Sequence, residues 1–109
     1  MLGGFSQGGA VSYFTGYQLK HALAGVLVLS GYIPKMHAFA VSPEAKHVPA
    51  LICHGDADPV VRFQWGQLSK EKLEESGVDL DFRVYNGMQH SACPQELDDI
   101  KQWLKKVLP

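Results

Sequence analysis

The stretch Gly4-Phe5-Ser6-Gln7-Gly8, near the start of the chain, decides the fold. It has the form Gly-x-Ser-x-Gly, in which a sharp strand-to-helix turn presents a serine hydroxyl clear of the backbone. Such a turn strains the backbone at Ser6, and the residues two before and two after it must lack side chains so that strand and helix can approach closely. The stretch therefore predicts a strand, a candidate nucleophile and then a helix.

Two later turns carry the side chains that would activate such a serine. Residues 54–61 leave an apolar strand pattern for an acidic turn with Asp56 and Asp58, and residues 86–91 follow another strand pattern and contain His90. A nucleophilic serine needs a histidine base and a carboxylate that holds the base in the right tautomer. With a serine on this kind of turn, the order along the chain is serine, acid, histidine. The same order occurs here.

The composition is that of one domain with a modest core: 109 residues, 46% of them hydrophobic, and a formal net charge of −1. The near-neutral charge, without a basic run, argues against nucleic-acid binding, which needs clustered Lys and Arg. The sequence has no stretch long enough for a membrane span and no signal peptide at Met1. Together these features predict a cytoplasmic location.

The cysteines and histidines do not form a metal or disulfide pattern. Cys53 and Cys93 make no disulfide framework, and His21, His37 and His47 lack metal-ligand spacing. We therefore expect no metal. His54, at the end of a strand pattern, is predicted to be a hydrogen-bonded structural histidine.

The hydrophobic pattern alternates between helical and strand periods, which is typical of a parallel α/β architecture. It predicts helices over residues 6–19 and 61–76, a final helix that begins at Pro94, and strands over residues 23–29, 48–53 and 80–85. Gly77 is predicted to cap the second helix. Helical spacing puts Val11, Phe14 and Tyr17 on one face of the first helix, Trp65, Leu68 and Leu73 on the core side of the second, and Leu97, Ile100, Leu104 and Val107 on one face of the third.

Residues 30–47 have no clear period, and a connection of that length is unusual unless it is functional. They carry Tyr32, Ile33, Met36 and Phe39, too many large apolar side chains for a merely solvated loop. These side chains either cap the core or line an apolar groove.

Three stretches resemble the acyl-protein thioesterase and lysophospholipase family, in the phospholipase/carboxylesterase group of α/β-hydrolases. They are Gly3-Gly4-Phe5-Ser6-Gln7-Gly8-Gly9-Ala10, His54-Gly55-Asp56-Ala57-Asp58-Pro59-Val60-Val61 and Gly87-Met88-Gln89-His90-Ser91, and the resemblance continues through the final helix. It implies an α/β-hydrolase fold, with a parallel sheet and flanking helices. It also implies a serine hydrolase without a cofactor, acting on acylated protein, lipid or another ester.

The resemblance also assigns roles to individual residues. Ser6 matches the nucleophile, Asp58 the acid and His90 the base, which leaves Asp56 as a turn former. The backbone N–H of Gln7, the residue after the nucleophile, matches one oxyanion donor.

For the long loop, the resemblance favours an acyl-chain groove lined by Tyr32, Ile33 and Phe39.

Family members have about as much chain again before the turn that carries the nucleophile. Residues 1–109 are therefore predicted to form the C-terminal half of an α/β-hydrolase domain, from the turn at Ser6 to the last helix. The loop that supplies a second oxyanion N–H would then be absent. An apolar sheet edge beside the serine strand would be unpaired and open to self-association. Two functions fit: a serine hydrolase, or a weak or inactive remnant that binds acyl chains or a partner protein.

Overall fold

Helices and strands alternate along the chain in a computed structural model that describes residues 1–18, 23–34 and 39–108. The order is β1 (Leu2–Phe5), α1 (Gln7–Gln18), β2 (Val26–Leu29), a short 3-10 helix (Pro43–Ala45), β3 (Ala50–Gly55), α2 (Phe63–Glu75), β4 (Leu80–Tyr85) and α3 (Pro94–Val107). The predicted elements are present, with ends shifted by a few residues. The predictions for Leu19, His21, Met36 and His37 lie outside the described residues.

The described strands form one parallel sheet, as the pattern predicted, and their order in it is β1-β2-β3-β4. Gly4 lies beside Val28 in the register of β1 and β2, and Leu29 lies beside Cys53 in that of β2 and β3. Because the strands are parallel, their carboxyl ends meet at one edge of the sheet. The turns that carry the candidate site residues follow β1, β3 and β4 at that edge.

The core lies on both faces of the sheet. One face packs under α1 and α2, with Tyr13, Tyr17, Val26, Val28, Ile52 and Leu73 among its buried side chains. The opposite face packs under α3 through a smaller cluster that includes Leu51, Cys53, Tyr85 and Trp103. Strand β3 lies between two neighbours and all of its residues are buried, so it is the most enclosed strand of the sheet.

Three residues of α2 were predicted to face the core, and the prediction is wrong for two of them. Leu73 is buried, but Trp65 and Leu68 are 47% and 49% exposed. The helix contacts the sheet through small residues instead: at Gly66 a Cβ would lie 2.6 Å from His54 Nδ1. That close approach turns Trp65 and Leu68 outward. The predicted cap is confirmed, since Gly77 follows α2 with a φ of +83°.

Helix α3 is also rotated from its predicted orientation. Ile100, Leu104 and Val107 pack against the core, as predicted, but Leu97 is 58% exposed. The buried face centres on Trp103, the largest side chain of the helix, and this rotation buries Glu96 instead of Leu97.

Within the parts of the chain that the structure describes, every helix is too short or too polar to traverse a bilayer.

Candidate active site

Ser6 lies at a strained turn between β1 and α1. Its φ is +57°, in the left-handed region that side-chain-bearing residues rarely adopt, which confirms the predicted strain. At Gly4 a Cβ would collide with the carbonyl group of Gly8, so the requirement for glycine two residues before the serine is confirmed as well. The requirement at Gly8 is wrong: a Cβ there would meet nothing within 4 Å. The helix approaches the sheet at Gly9 instead, where a Cβ would lie 3.0 Å from Val28.

His90 connects Ser6 to Asp58. Its Nε2 lies 2.7 Å from Ser6 Oγ, and its Nδ1 lies 2.8 Å from Asp58 Oδ2. An ionised carboxylate can only accept, so Nδ1 carries the proton and Nε2 is free to accept the serine hydroxyl proton. The His90 side chain is 16% exposed, whereas that of Asp58 is fully buried. The structure therefore brings the predicted serine, histidine and acid into one hydrogen-bonded line.

The carboxylate of Asp58 is held by its own loop. Asp58 Oδ1 accepts hydrogen bonds from the backbone N–H groups of Val60 and Val61, each at 2.9 Å. Burial by itself raises the pKa of Asp58, but the hydrogen bonds with His90, Val61 and Val60 outweigh it and hold the pKa below its ordinary value of 3.8. The group is therefore an anion at neutral pH.

Asp56 faces a different partner. Its Oδ1 accepts from the backbone N–H of Gly87 at 2.7 Å, and the residue is exposed. Asp56 thus stabilises the turn that precedes His90 and does not reach the ring. The predicted role as a turn former agrees with this contact.

Gln7 is the first residue of α1. Backbone N–H groups in the first turn of a helix have no acceptor within the helix, and the helix dipole makes that end favourable for negative charge. This placement keeps Gln7 as the candidate oxyanion donor, adjacent to Ser6.

Of the three residues predicted to line an acyl-chain groove, the structure places one at a surface groove. Tyr32 lines a surface groove of about 320 Å³ beside α1, together with Gln7, Ala10, Val11, Phe14, Thr15 and Pro34. Ile33 and Phe39 do not line it, because both are buried in the core cluster at 4% and 2% exposure. They are core residues, and the prediction that they line the groove is corrected.

Two neighbours of the site were not predicted to be part of it. The Phe5 ring lies 4.8 Å from the His90 ring, centroid to centroid, and covers one side of the base. His54 Nε2 lies 2.7 Å from the carbonyl oxygen of Val61, so His54 is hydrogen-bonded as predicted, but inside the acid loop. In the sequence, these two neighbours could have been found because Phe5 is adjacent to Ser6 and His54 is adjacent to the acidic turn.

A left-handed serine between a strand and a helix, with an acid and a histidine at the ends of neighbouring parallel strands, defines the α/β-hydrolase class. The model of the phospholipase/carboxylesterase family matches residues 1–108. The chain belongs to the phospholipase/carboxylesterase family.

The chain is similar to several named proteins. Acyl-protein thioesterase 1 of Neurospora crassa is 44% identical over 113 residues, and acyl-protein thioesterase 1 homolog 1 of Dictyostelium discoideum is 41% identical over 110 residues. Both alignments cover 100% of this chain and 46% and 49% of the relatives. The chain therefore spans about half the length of the curated relatives it matches.

Solved structures also superpose on this chain over about half of their own length. Arabidopsis thaliana SOBER1 superposes with a TM-score of 0.89 at 37% identity, over 98% of this chain and 52% of that one. Zea mays acyl-protein thioesterase 2 superposes with a TM-score of 0.86 at 31% identity, over 98% of this chain and 55% of that one. These matches support the α/β-hydrolase fold predicted from the sequence.

Proposed function

We propose that this chain supplies the catalytic groups of a serine hydrolase that cleaves acyl thioesters or carboxylic esters. The observation that carries the proposal is the line of two hydrogen bonds from Ser6 Oγ through the His90 ring to Asp58, at 2.7 and 2.8 Å. A nucleophile, a base and a group that orients the base are the parts that acyl transfer needs.

In the first half of the reaction, Ser6 Oγ attacks the carbonyl carbon of the substrate while His90 Nε2 takes the hydroxyl proton. The charge that develops on the carbonyl oxygen is stabilised by the N–H of Gln7, at the positive end of α1. His90 then gives its proton to the leaving thiolate or alkoxide as the bond to the acyl carbon breaks. The acyl group remains on Ser6 as an ester.

In the second half, water attacks the acyl-serine and His90 Nε2 takes a proton from the water. The bond between Ser6 Oγ and the acyl carbon breaks, and His90 returns the proton to Ser6. Asp58 stays ionised throughout, and its role is to hold the ring and stabilise the imidazolium that forms in each half.

The acyl side of the substrate is proposed to occupy the groove beside α1. The groove starts at Gln7, next to the nucleophile, and its walls include Val11, Phe14 and Tyr32. Its lining is mostly apolar, which favours an alkyl chain over a polar group. Relatives named acyl-protein thioesterase 1 support an acylated protein as substrate, with a lipid ester as the alternative that fits the same groove.

The proposed compartment is the cytoplasm. Cys53 and Cys93 are free thiols, which fits a reducing environment.

The proposal is tested with a fluorophosphonate probe, which reacts with an activated serine, and with a chromogenic ester. We expect the probe to modify Ser6 as located by mass spectrometry, and Ser6→Ala and His90→Ala each to lower labelling and turnover to background, a loss on the order of 10⁴–10⁶. The double variant should be no worse than either single one, because nucleophile and base act as a unit.

The matched control is Ser76→Ala, at the end of α2, whose hydroxyl donates to the carbonyl of Lys72. This variant should keep the wild-type rates. Labelling that persists in His90→Ala would contradict the assignment of the base, and a wild-type chain in which Ser6 is never labelled would contradict the function.

A further inference from the structure

His54 is a second histidine beside Asp58, at the start of the loop that carries this acid, and its side chain is completely enclosed. It is the second-last residue of β3, four residues before Asp58. The catalytic steps proposed above do not use it. A fully buried imidazole beside the acid requires a reason.

The contacts of the His54 ring define which of its two nitrogens carries the proton. His54 Nε2 lies 2.7 Å from the carbonyl oxygen of Val61. A carbonyl can only accept, so Nε2 carries the ring proton and donates it. Nδ1 has no hydrogen-bond partner among the described residues and faces Gly66 of α2. Only glycine fits there, because a Cβ would lie 2.6 Å from Nδ1.

The same peptide segment that accepts from His54 also holds the acid. The N–H of Val61 donates to Asp58 Oδ1 at 2.9 Å, while the C=O of Val61 accepts from His54. The hydrogen bond from His54 therefore closes the loop between residues 54 and 61, with the carboxylate of Asp58 inside it. Nε2 also lies 3.6 Å from Asp58 Oδ2, too far for a hydrogen bond but close to the oxygen that accepts from His90.

We propose that His54 is a positioning residue: its Nε2–H fixes Val61, and through Val61 the orientation of Asp58 and of the His90 ring. The inference rests on the proposed function for its catalytic consequence. It acts on the base through the acid, and touches neither Ser6 nor a substrate. Helix α2 contributes by packing Gly66 and the Phe63 ring against the imidazole, with the Phe63 and His54 centroids 6.0 Å apart.

Two variants separate the donated hydrogen bond from the presence of a buried polar side chain. In His54→Gln the amide nitrogen can reach the place of Nε2, whereas in His54→Asn it is one methylene short. We expect His54→Asn to slow fluorophosphonate labelling of Ser6 and lower kcat about a hundredfold with KM unchanged, because small misplacements of catalytic groups are costly. His54→Gln should keep most of the wild-type rate.

Hydrogen exchange and the ring nitrogen shifts test the inference without any activity. The amide protons of Val60 and Val61 should exchange faster in His54→Asn than in His54→Gln or the wild type. In the wild-type chain, 15N shifts of His54 should show a protonated Nε2 and a bare Nδ1. The control is Ser69→Ala, which removes two other hydrogen bonds of α2, one accepted from the N–H of Ile33 and one donated to the carbonyl of Trp65. It should leave both measurements unchanged.

The inference is overturned by wild-type labelling and amide protection in His54→Asn, or by equal losses in the two variants, since packing alone would then matter. A wild-type ring protonated on Nδ1 would overturn it even where His54→Asn does not fold. A wild-type chain that the probe never labels counts against the proposed function, while the exchange and 15N results still decide the role of His54.

Discussion

At the scale of single residues, the acid is the most constrained member of the site. Asp58 has one oxygen bound by two backbone N–H groups and the other by His90, so its carboxylate has one orientation available. His90 is constrained on a second side by the Phe5 ring. The low pKa of Asp58 has the same origin, since every one of these donors favours the charged form.

The two aspartates of the loop should respond very differently to the same change. Asp58→Asn places an amide against His90 Nδ1, which favours the wrong ring tautomer, so we expect turnover to fall by about 10⁴. Asp56→Asn keeps an oxygen that can accept from the Gly87 N–H, so we expect a change of less than about tenfold. Ester turnover of the two variants, measured side by side, gives the ranking. The reverse order would move the acid to Asp56.

At the scale of elements, the sequence predicted the order and type of the α-helices and strands among the described residues, but neither the 3-10 helix at Pro43–Ala45 nor how each helix faces the sheet. Periodicity locates an apolar stripe, whereas the contact itself depends on where small residues allow close approach. Gly66 lets α2 pack closely against His54, and in this orientation Trp65 and Leu68 face the solvent. The polar site residues were predictable because they follow strand ends, while Phe5 and His54 needed the packing to be known.

One variant in helix α1 and one in the loop after β2 should distinguish a residue that contacts the acyl chain in the groove from a residue that only stabilises the core. Phe14 is 38% exposed and lines the groove, so Phe14→Asn should weaken cleavage of a long-chain ester more than that of an acetyl ester, at about 0.8 kcal/mol per methylene that loses its contact. Ile33→Asn, in the core, should reduce both substrates alike through lower stability. Measured kcat/KM for the two chain lengths decides this. Equal losses in Phe14→Asn would remove the groove from the acyl site.

Helix α3 should make the stability of the chain depend on pH. Glu96 is fully buried, its carboxylate oxygens have no hydrogen-bond partner among the described residues, and burial together with the nearby Asp99 raises its pKa from 4.5 to about 7. Between those values the folded chain holds a proton that the unfolded chain has lost. Stability therefore falls as the pH rises from about 4.5 to about 7, and stays reduced above that.

The neutral variant Glu96→Gln should remove this pH dependence. At about 1.4 kcal/mol per pKa unit, the ionised carboxylate costs on the order of 3 kcal/mol at pH 8. The free energy of unfolding in urea, followed by circular dichroism, should therefore be higher for the variant at pH 8 and similar to the wild type near pH 4.5. Glu71→Gln, on the exposed side of α2, is the control. Parallel pH curves for Glu96→Gln and the wild type would exclude Glu96 as the source.

At the scale of the whole molecule, the serine is attached to an edge strand of the sheet. Among the described strands, β1 pairs only with β2, and its Phe5 side chain is 43% exposed beside the site. An edge strand offers unpaired backbone groups, which favours either self-association or loosening of the turn it carries. The chain also spans about half of its curated relatives, and in α/β-hydrolases a loop after an earlier strand gives a second oxyanion N–H.

We therefore expect the 109-residue chain on its own to be a weak enzyme. One oxyanion donor is worth a factor of about 10²–10³ in turnover, and a loosened β1 would further misplace Ser6 against His90. The measurement is ester turnover and fluorophosphonate labelling of the chain alone, and again with the N-terminal half of Zea mays acyl-protein thioesterase 2 added in trans, with size-exclusion chromatography of both samples. The added half should raise both rates and shift self-associated chain into a one-to-one complex. The same half added to the Ser6→Ala variant of this chain should give no activity. Turnover from a monomer of the chain alone that equals the rate of the intact Zea mays enzyme would show that neither a second donor nor a partner for β1 is needed.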